Sequence, residues 1–207
     1  IRLQQLHFQF PGQKVKLEPP GNRILLHVCC APCSGAIIEA LCTQGFRPTV
    51  FWSNSNIYTA EENERRLATL EPYAASFGVP VVVDAYDHSA WLDFVRGELP
   101  EPPASYPERG ERCLACFRFR LLRAARYAAA NGFDCLTTSL ASSRWKSLEQ
   151  VDAAGRRACD SASLEWWPVN WRKGGLQPRR DEIIREQNFY NQTFCGCEFS
   201  LDCENHS

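Results

Sequence analysis

Short apolar runs alternate with segments of helical period along almost the whole chain, and this alternation constrains the fold more than any other feature. "RILLHVCC" (23–30) suits a buried strand, and "SGAIIEALCTQG" (34–45) follows with helical apolar spacing and a glycine stop. "RPTVFWSN" (47–54) reads as a second strand and β-branched "VPVVVDAY" (79–86) as a third. Between them, "AEENERRLATLEPYAASFG" (60–78) is a charged amphipathic helix that Pro72 would kink or divide. "SAWLDFVRG" (89–97) is helical, and "ELPEPPASYPERGE" (98–111) is a proline-rich loop. "CLACFRFRLLRAARYAAANG" (113–132) is a strong helix with Phe117, Leu121, Ala124, Ala125 and Ala128 on one stripe. "FDCLTTSLA" (133–141) is a strand, "SLEQVDAAGRRACD" (147–160) a helix and "LEWWPVNW" (164–171) a short extended segment. "RRDEIIREQNFY" (179–190) closes the series as a helix leading into "NQTFCGCEFS". Strands spaced by helices of this length predict an α/β chain with a mostly parallel sheet and helices on both faces. Residues 1–22 read as an N-terminal extension to a single domain at 23–203.

Composition sets the environment. Of 207 residues 44% are hydrophobic and 23% charged, with a formal net charge of −1, as in an ordinary soluble protein. No apolar run approaches the roughly 18–20 residues of a membrane span. "IRLQQLHFQFPGQ" has neither a basic n-region nor an apolar h-region, so no signal peptide is expected and the cytoplasm is the expected compartment.

Eleven cysteines depart from that ordinariness, at 29, 30, 33, 42, 113, 116, 135, 159, 195, 197 and 203. A chain this large has no need of a disulfide scaffold, and adjacent cysteines rarely pair with each other. In a reducing compartment clustered thiols point to metal or redox chemistry. Cys29, Cys30 and Cys33 fall where the first strand meets the first helix, the sheet edge at which α/β sites form. Cys113 and Cys116 open a helix one turn apart, and its N-terminus favours thiolate. Cys195 and Cys197 flank a glycine that permits a tight turn. A lone CxxC fits a redox pair, half a zinc site or coincidence, and a lone CxC carries less. The three groups together predict convergence on one edge of one sheet. Cys42, Cys135 and Cys159 lie on apolar faces and read as small buried hydrophobes, and Cys203 as idle.

"HVCCAPCS" (27–34), "NSNIYTAEENERR" (54–66), "CLACFRFRL" (113–121), "GFDCLTTSLASSRWK" (132–146), "KGG" (173–175) and "FYNQTFCGCEFS" (189–200), in this order, resemble the QueH family of epoxyqueuosine reductases. The resemblance implies a Rossmann-like fold of the PP-loop (HUP-like) kind. It also implies a cysteine-bound [4Fe-4S] cluster with an additional iron or other divalent metal beside it, and no cobalamin. The implied reaction is reduction of epoxyqueuosine to queuosine at the anticodon wobble position of tRNA, the last step of queuosine biosynthesis. Its implied partners are tRNA and an external electron donor. Metal ligands would then come from Cys29, Cys30, Cys113, Cys116, Cys195 and Cys197. Cys33 stands where some relatives have a carboxylate, and sulfur there is a softer ligand. "SSRWK" (142–146) departs from the Ser-Pro-X-Lys of relatives but keeps Lys146.

Turning an epoxide into an alkene takes two electrons and two protons and releases water, so the reaction needs a general acid. By location Asp84, Tyr86 and Asp87 are candidates, although Asp87 equally suits a helix cap and His27 a core position. Arg109, Arg112, Arg118, Arg120, Arg123 and Arg126 surround the CxxC helix, with Arg120, Arg123 and Arg126 expected on its exposed side. Arg172, Lys173, Arg179 and Arg180 precede the CxC. Arg120, Arg123, Lys146, Arg172 and Lys173 are the candidate tRNA contacts, set against the ordinary reading of a solvated helix face. Trp145, Trp166, Trp167 and Trp171 are candidate stacking surfaces, of which at least two are expected in the core. Two other readings compete. An adenylating or thiolating PP-loop enzyme would need a Ser-Gly-Gly-x-Asp-Ser loop where this chain has "CCAPCSG", and a zinc-stabilised RNA-binding module would need only four ligands.

Overall fold

The structure, a computed structural model, describes residues 16–201; Cys203 and the first fifteen residues of the expected extension lie outside them. Five strands form one sheet, β1 (Ile24–Val28), β2 (Thr49–Trp52), β3 (Val81–Val83), β4 (Cys135–Thr138) and β5 (Glu165–Trp166). Every pairing is parallel and the order is β3-β2-β1-β4-β5. Helices α1 (Ala31–Thr43), α2 (Ala60–Ser76), α3 (His88–Glu98), α4 (Glu111–Ala130), α5 (Leu148–Ser161) and α6 (Leu176–Glu186) cover it. Contacts group α1 with α2 and α6 on one face, and α4 with α3 and α5 on the other. This is the expected α/β architecture, with the strand order of a doubly wound sheet.

The apolar runs explain the layering. β1 is buried along its whole length, as a central parallel strand must be, and pairs Leu26 with Val50 on one side and Thr137 on the other. α1 is buried from Ala31 to Leu41, held between the sheet and the helices outside it. Its one buried carboxylate, Glu39, receives Arg179 of α6 in a bidentate pair at 2.7 and 2.9 Å. The stripe from Phe117 to Ala128 on α4 is buried as its spacing predicts. Cys135 and Cys159 are fully buried, whereas Cys42 is half-buried at the core's margin.

Several boundaries differ from expectation for local chemical reasons. β4 stops at Thr138, whose hydroxyl accepts from the Leu140 amide at 3.2 Å and turns the chain into a 3-10 segment, Ser139–Ser142. Pro168 keeps β5 to two residues. α6 begins at Leu176, after the left-handed Gly175, and ends at Glu186. Phe189 lies beyond it and packs edge-on against Tyr73 at 5.1 Å. α2 runs undivided past Pro72, which lies near its last turn. Leu17, within the expected extension, is buried against the core.

α5 meets β5 through Gly155: a Cβ added there would lie 2.4 Å from Cζ2 of Trp166, whose indole is tied to Asp152 at 3.3 Å. Gly155→Ala should therefore destabilise the protein by about 1–3 kcal/mol through overpacking, read as a lower urea midpoint with an unchanged slope.

Candidate metal and redox site

β1 lies between β2 and β4, so the connections leaving β1 and β4 run to opposite faces and open a crevice at their carboxyl ends. Cys29 and Cys30 are the first residues past β1. Cys30 N-caps α1 in an extended conformation, with Cys33 in the helix's first turn. The three sulfurs lie within 4.8 Å of one another, and all three residues are buried. The turn after β4 seats them. Ser139 Oγ accepts from the Cys29 amide at 3.0 Å and donates to Cys29 Sγ at 3.3 Å, while Ser142 Oγ donates to the Cys33 carbonyl at 2.9 Å. From the far end of the chain, Gln192 Nε2 donates to Cys30 Sγ at 3.0 Å.

The trio shares its protons. Hydrogen bonds from Cys30 and Cys33 hold the Cys29 thiol well below its ordinary pKa. Burial, then the bond to Cys29, pushes Cys30 up, and the bond it shares with Cys29 is the main cause raising Cys33 to about 11. Crowding of the three sulfurs thus favours ionisation at Cys29 and opposes it at Cys30 and Cys33. Further deprotonation calls for a soft metal.

Cys113 and Cys116 sit in the first turns of α4, as their spacing predicts. Cys195 and Cys197 flank Gly196, whose φ of +136° only glycine adopts readily. The asparagine-rich segment 54–66 clamps this tail. Arg66 Nη1 donates to the Cys195 carbonyl at 3.1 Å and Nη2 to that of Phe194 at 3.3 Å, and the Tyr58 amide donates to the Gly196 carbonyl at 2.8 Å. Arg66 is itself buried and aimed by Glu62 at 2.7 Å. The one-dimensional signal for this clamp is an arginine at a buried position of α2.

The thiol groups face one space. Cys29, Cys33, Cys113 and Cys195 line a cavity of about 520 Å³ together with Lys146, Arg120 and Trp145. Cys116 and Cys197 stand behind it in an apolar cluster with Trp91, Val95, Leu99 and Phe119. Burial, with the nearby sulfurs of Cys116 and Cys195, pushes Cys113 up to about 12. Burial likewise raises Cys116, and burial with Cys195 and Cys116 raises Cys197. Every cysteine among the described residues is free. Thiols of this softness fit zinc or an iron–sulfur cluster.

The cations distribute differently from expectation. Arg120 is buried, at 2% exposure, and donates to Asn54 Oδ1; three residues on from Phe117, it flanks the apolar stripe instead of opposing it. Arg123 is half-buried in a bidentate pair with Asp84 at 2.5 and 2.7 Å. Lys146 projects into the cavity. Burial alone would lower its pKa, and the charges of Cys195, Cys29, Cys33 and Cys30 outweigh burial and raise it. Arg172 supports the Lys146 loop by donating to the carbonyls of Ser143 at 2.6 Å and Lys146 at 2.7 Å, and Lys173 is exposed. Arg118 pairs with Glu98, Arg179 with Glu39 and Arg180 with Asp181, so much of the apparent basic bias is internally neutralised.

The three acid candidates lie off the cavity wall. Asp87 caps α3 by accepting from the Ala90 amide at 2.9 Å, and Tyr86 donates to the Ile57 carbonyl at 2.7 Å. His27 is a core residue: it contacts Thr138 Oγ1 at 2.8 Å and the Ser53 carbonyl at 3.3 Å, and burial followed by the Arg120 charge lowers its pKa to about 3.

A family model described as "Epoxyqueuosine reductase QueH" matches residues 24–203. The chain belongs to the QueH family. It is 40% identical over 194 residues to a relative from Histophilus somni named "Epoxyqueuosine reductase QueH", covering 92% of this chain and 78% of the relative. A relative of the same name from Haemophilus influenzae is 39% identical over 93% of this chain and 77% of its own length. Another from Acinetobacter baylyi is 38% identical over 92% and 86% respectively. QueH membership makes the chain an enzyme of the oxidoreductase class.

Two variants test the supports of this site. Burial opposes ionisation of Asp84, but hydrogen bonds from Arg123 and Ser53 outweigh it and hold the carboxyl below its ordinary pKa. Its stabilisation is thus fully present above the unfolded value near pH 4 and is lost as pH falls through the lower folded value. Asp84→Asn should cost about 1–3 kcal/mol at pH 7, and its deficit against wild type should shrink in melts taken progressively below pH 4. Arg66→Ala should release the tail, seen as faster alkylation of Cys197 by iodoacetamide in peptide mass spectra, with a lowered melting temperature from the loss of the buried pair with Glu62.

Proposed function

We propose that this chain reduces the epoxide of epoxyqueuosine in tRNA, giving queuosine at the wobble position, in the cytoplasm and with electrons from an external donor. The observation that carries this reading is two sets of free thiols around one cavity in a chain of the QueH family. The assignment divides the ligands by their neighbours. Cys113, Cys116, Cys195 and Cys197 would hold the [4Fe-4S] cluster, and Cys29, Cys30 and Cys33 the additional iron or other divalent metal. When bound, these groups would supply single electrons and a Lewis-acid site.

The protein's own residues meet the remaining demands. Lys146 holds a proton at Nζ inside the cavity, where the departing epoxide oxygen needs one. Arg120 brings a fixed positive charge to the same wall, and Asn54 orients it; negative charge developing on oxygen is stabilised there. Asn54 is in turn anchored to the Val28 carbonyl at 2.8 Å, so the charge is referenced to the end of β1. The clamped tail closes one side of the cavity and limits water. Exposed Arg109 on the cavity wall and Lys173 beyond it offer phosphate contacts.

Anaerobic purification followed by iron, sulfide and zinc analysis tests the cofactor assignment. About four irons and four sulfides for the cluster, with a brown chromophore, are expected; zinc alone after anaerobic reconstitution overturns it. Dithionite-driven conversion of epoxyqueuosine to queuosine in tRNA, followed by mass spectrometry, tests the reaction. Cys116→Ala and Cys197→Ala should each lose both the chromophore and the conversion.

A further inference from the structure

Trp145 is 77% exposed, while Trp52, Trp91, Trp167 and Trp171 are buried and Trp166 is half-buried. Its exposure does not come from a loose loop. Arg109 Nε donates to the Trp145 carbonyl at 3.0 Å, and the Trp145 amide donates to Ser143 Oγ at 3.3 Å. Arg172 grips the carbonyls on either side, at Ser143 and Lys146. The backbone is thus pinned from two directions and holds a large apolar ring in water, an arrangement with no folding benefit. The ring lies on the wall of the thiol cavity, next in sequence to Lys146. The Arg109 guanidinium stands 5.9 Å from its centroid, and the exposure leaves the remaining ring surface to solvent.

We propose that Trp145 is a stacking platform for a nucleobase of the RNA substrate, with Arg109 beside it for the adjoining phosphate. The inference rests on the tRNA reading above and names how that substrate is held. Sequence-specific RNA recognition takes unstacked bases onto aromatic faces, and an indole offers a large planar one. An exposed indole on a pinned backbone, with Arg109 beside it on the cavity wall, suits a base and its phosphate. A protein partner would ask for a broader apolar patch. The four indoles singled out by the sequence are thereby separated: Trp167 and Trp171 pack edge-on at 5.7 Å in the core, and Trp166 packs against Gly155.

The test uses full-length protein and a fluorescently labelled anticodon stem-loop carrying epoxyqueuosine, with free epoxyqueuosine nucleoside as a second arm. Trp145→Ala and Trp145→Leu should weaken stem-loop binding roughly tenfold, the order lost with one base–aromatic stack. They should raise KM with kcat nearly unchanged. Trp145→Phe should largely restore affinity, and melting temperatures should match wild type. A parallel loss of nucleoside affinity identifies the stacked base as the one bearing the epoxide; a loss confined to the stem-loop identifies a neighbouring base. Wild-type affinity in Trp145→Ala, or rescue by Leu equal to that by Phe, overturns the platform. A wild-type protein that neither binds nor reduces the stem-loop overturns the tRNA reading itself, and is a different result.

Discussion

Everything at the site depends on β1 having parallel neighbours on both sides. Because β2 and β4 flank it, the helical layers diverge above its carboxyl end and leave space that no side chain of the sheet fills. Cys29 and Cys30 occupy that position because they are the next two residues. Ser139 and Ser142 reach them because the adjacent strand β4 ends at the same level. The sulfurs are therefore held mainly by backbone geometry and short hydroxyl bonds, with the Gln192 amide added from the tail.

A second layer of support comes from charged groups used as internal fasteners. Arg66, Arg120, Arg123, Arg172 and Arg179 each spend their donors on carbonyls or carboxylates of distant elements. Guanidinium suits this work because its donors lie in a fixed plane and reach two acceptors at once. The acidic and basic residues nearly balance in number, and many are consumed this way, so the surface beside the cavity is less basic than the sequence implies. Lys146 is the contrast: its charge is turned inward toward sulfur.

The α/β class and the place of Cys29 and Cys30 at the end of the first strand were legible because period and spacing report them directly, and convergence of the thiol groups was expected from where α/β sites form. Cys29, Cys113 and Cys195 converge for the stated topological reason. Arg120 was misjudged because the helix face was read as simply apolar or exposed, while at the level of Arg120 that face borders a polar cavity. The acid candidates Asp84 and Tyr86 were chosen by location, yet their partners Arg123 and Ile57 are tertiary neighbours invisible in one dimension, whereas the Asp87 cap on Ala90 is local and was legible. The Arg66 clamp was hidden for the same reason, since it joins residues 129 apart in sequence.

That separation has a consequence for synthesis. Gln192 meets Cys30 across 162 residues, and the tail that carries Cys195 and Cys197 is the last described segment to leave the ribosome. The sheet and its first thiol trio can form while the tail is still being made, because domains consolidate from their N-terminal side. The pocket is then finished by a single late docking event onto Arg66. A nascent chain interrupted before residue 194 would carry a folded scaffold with an open wall.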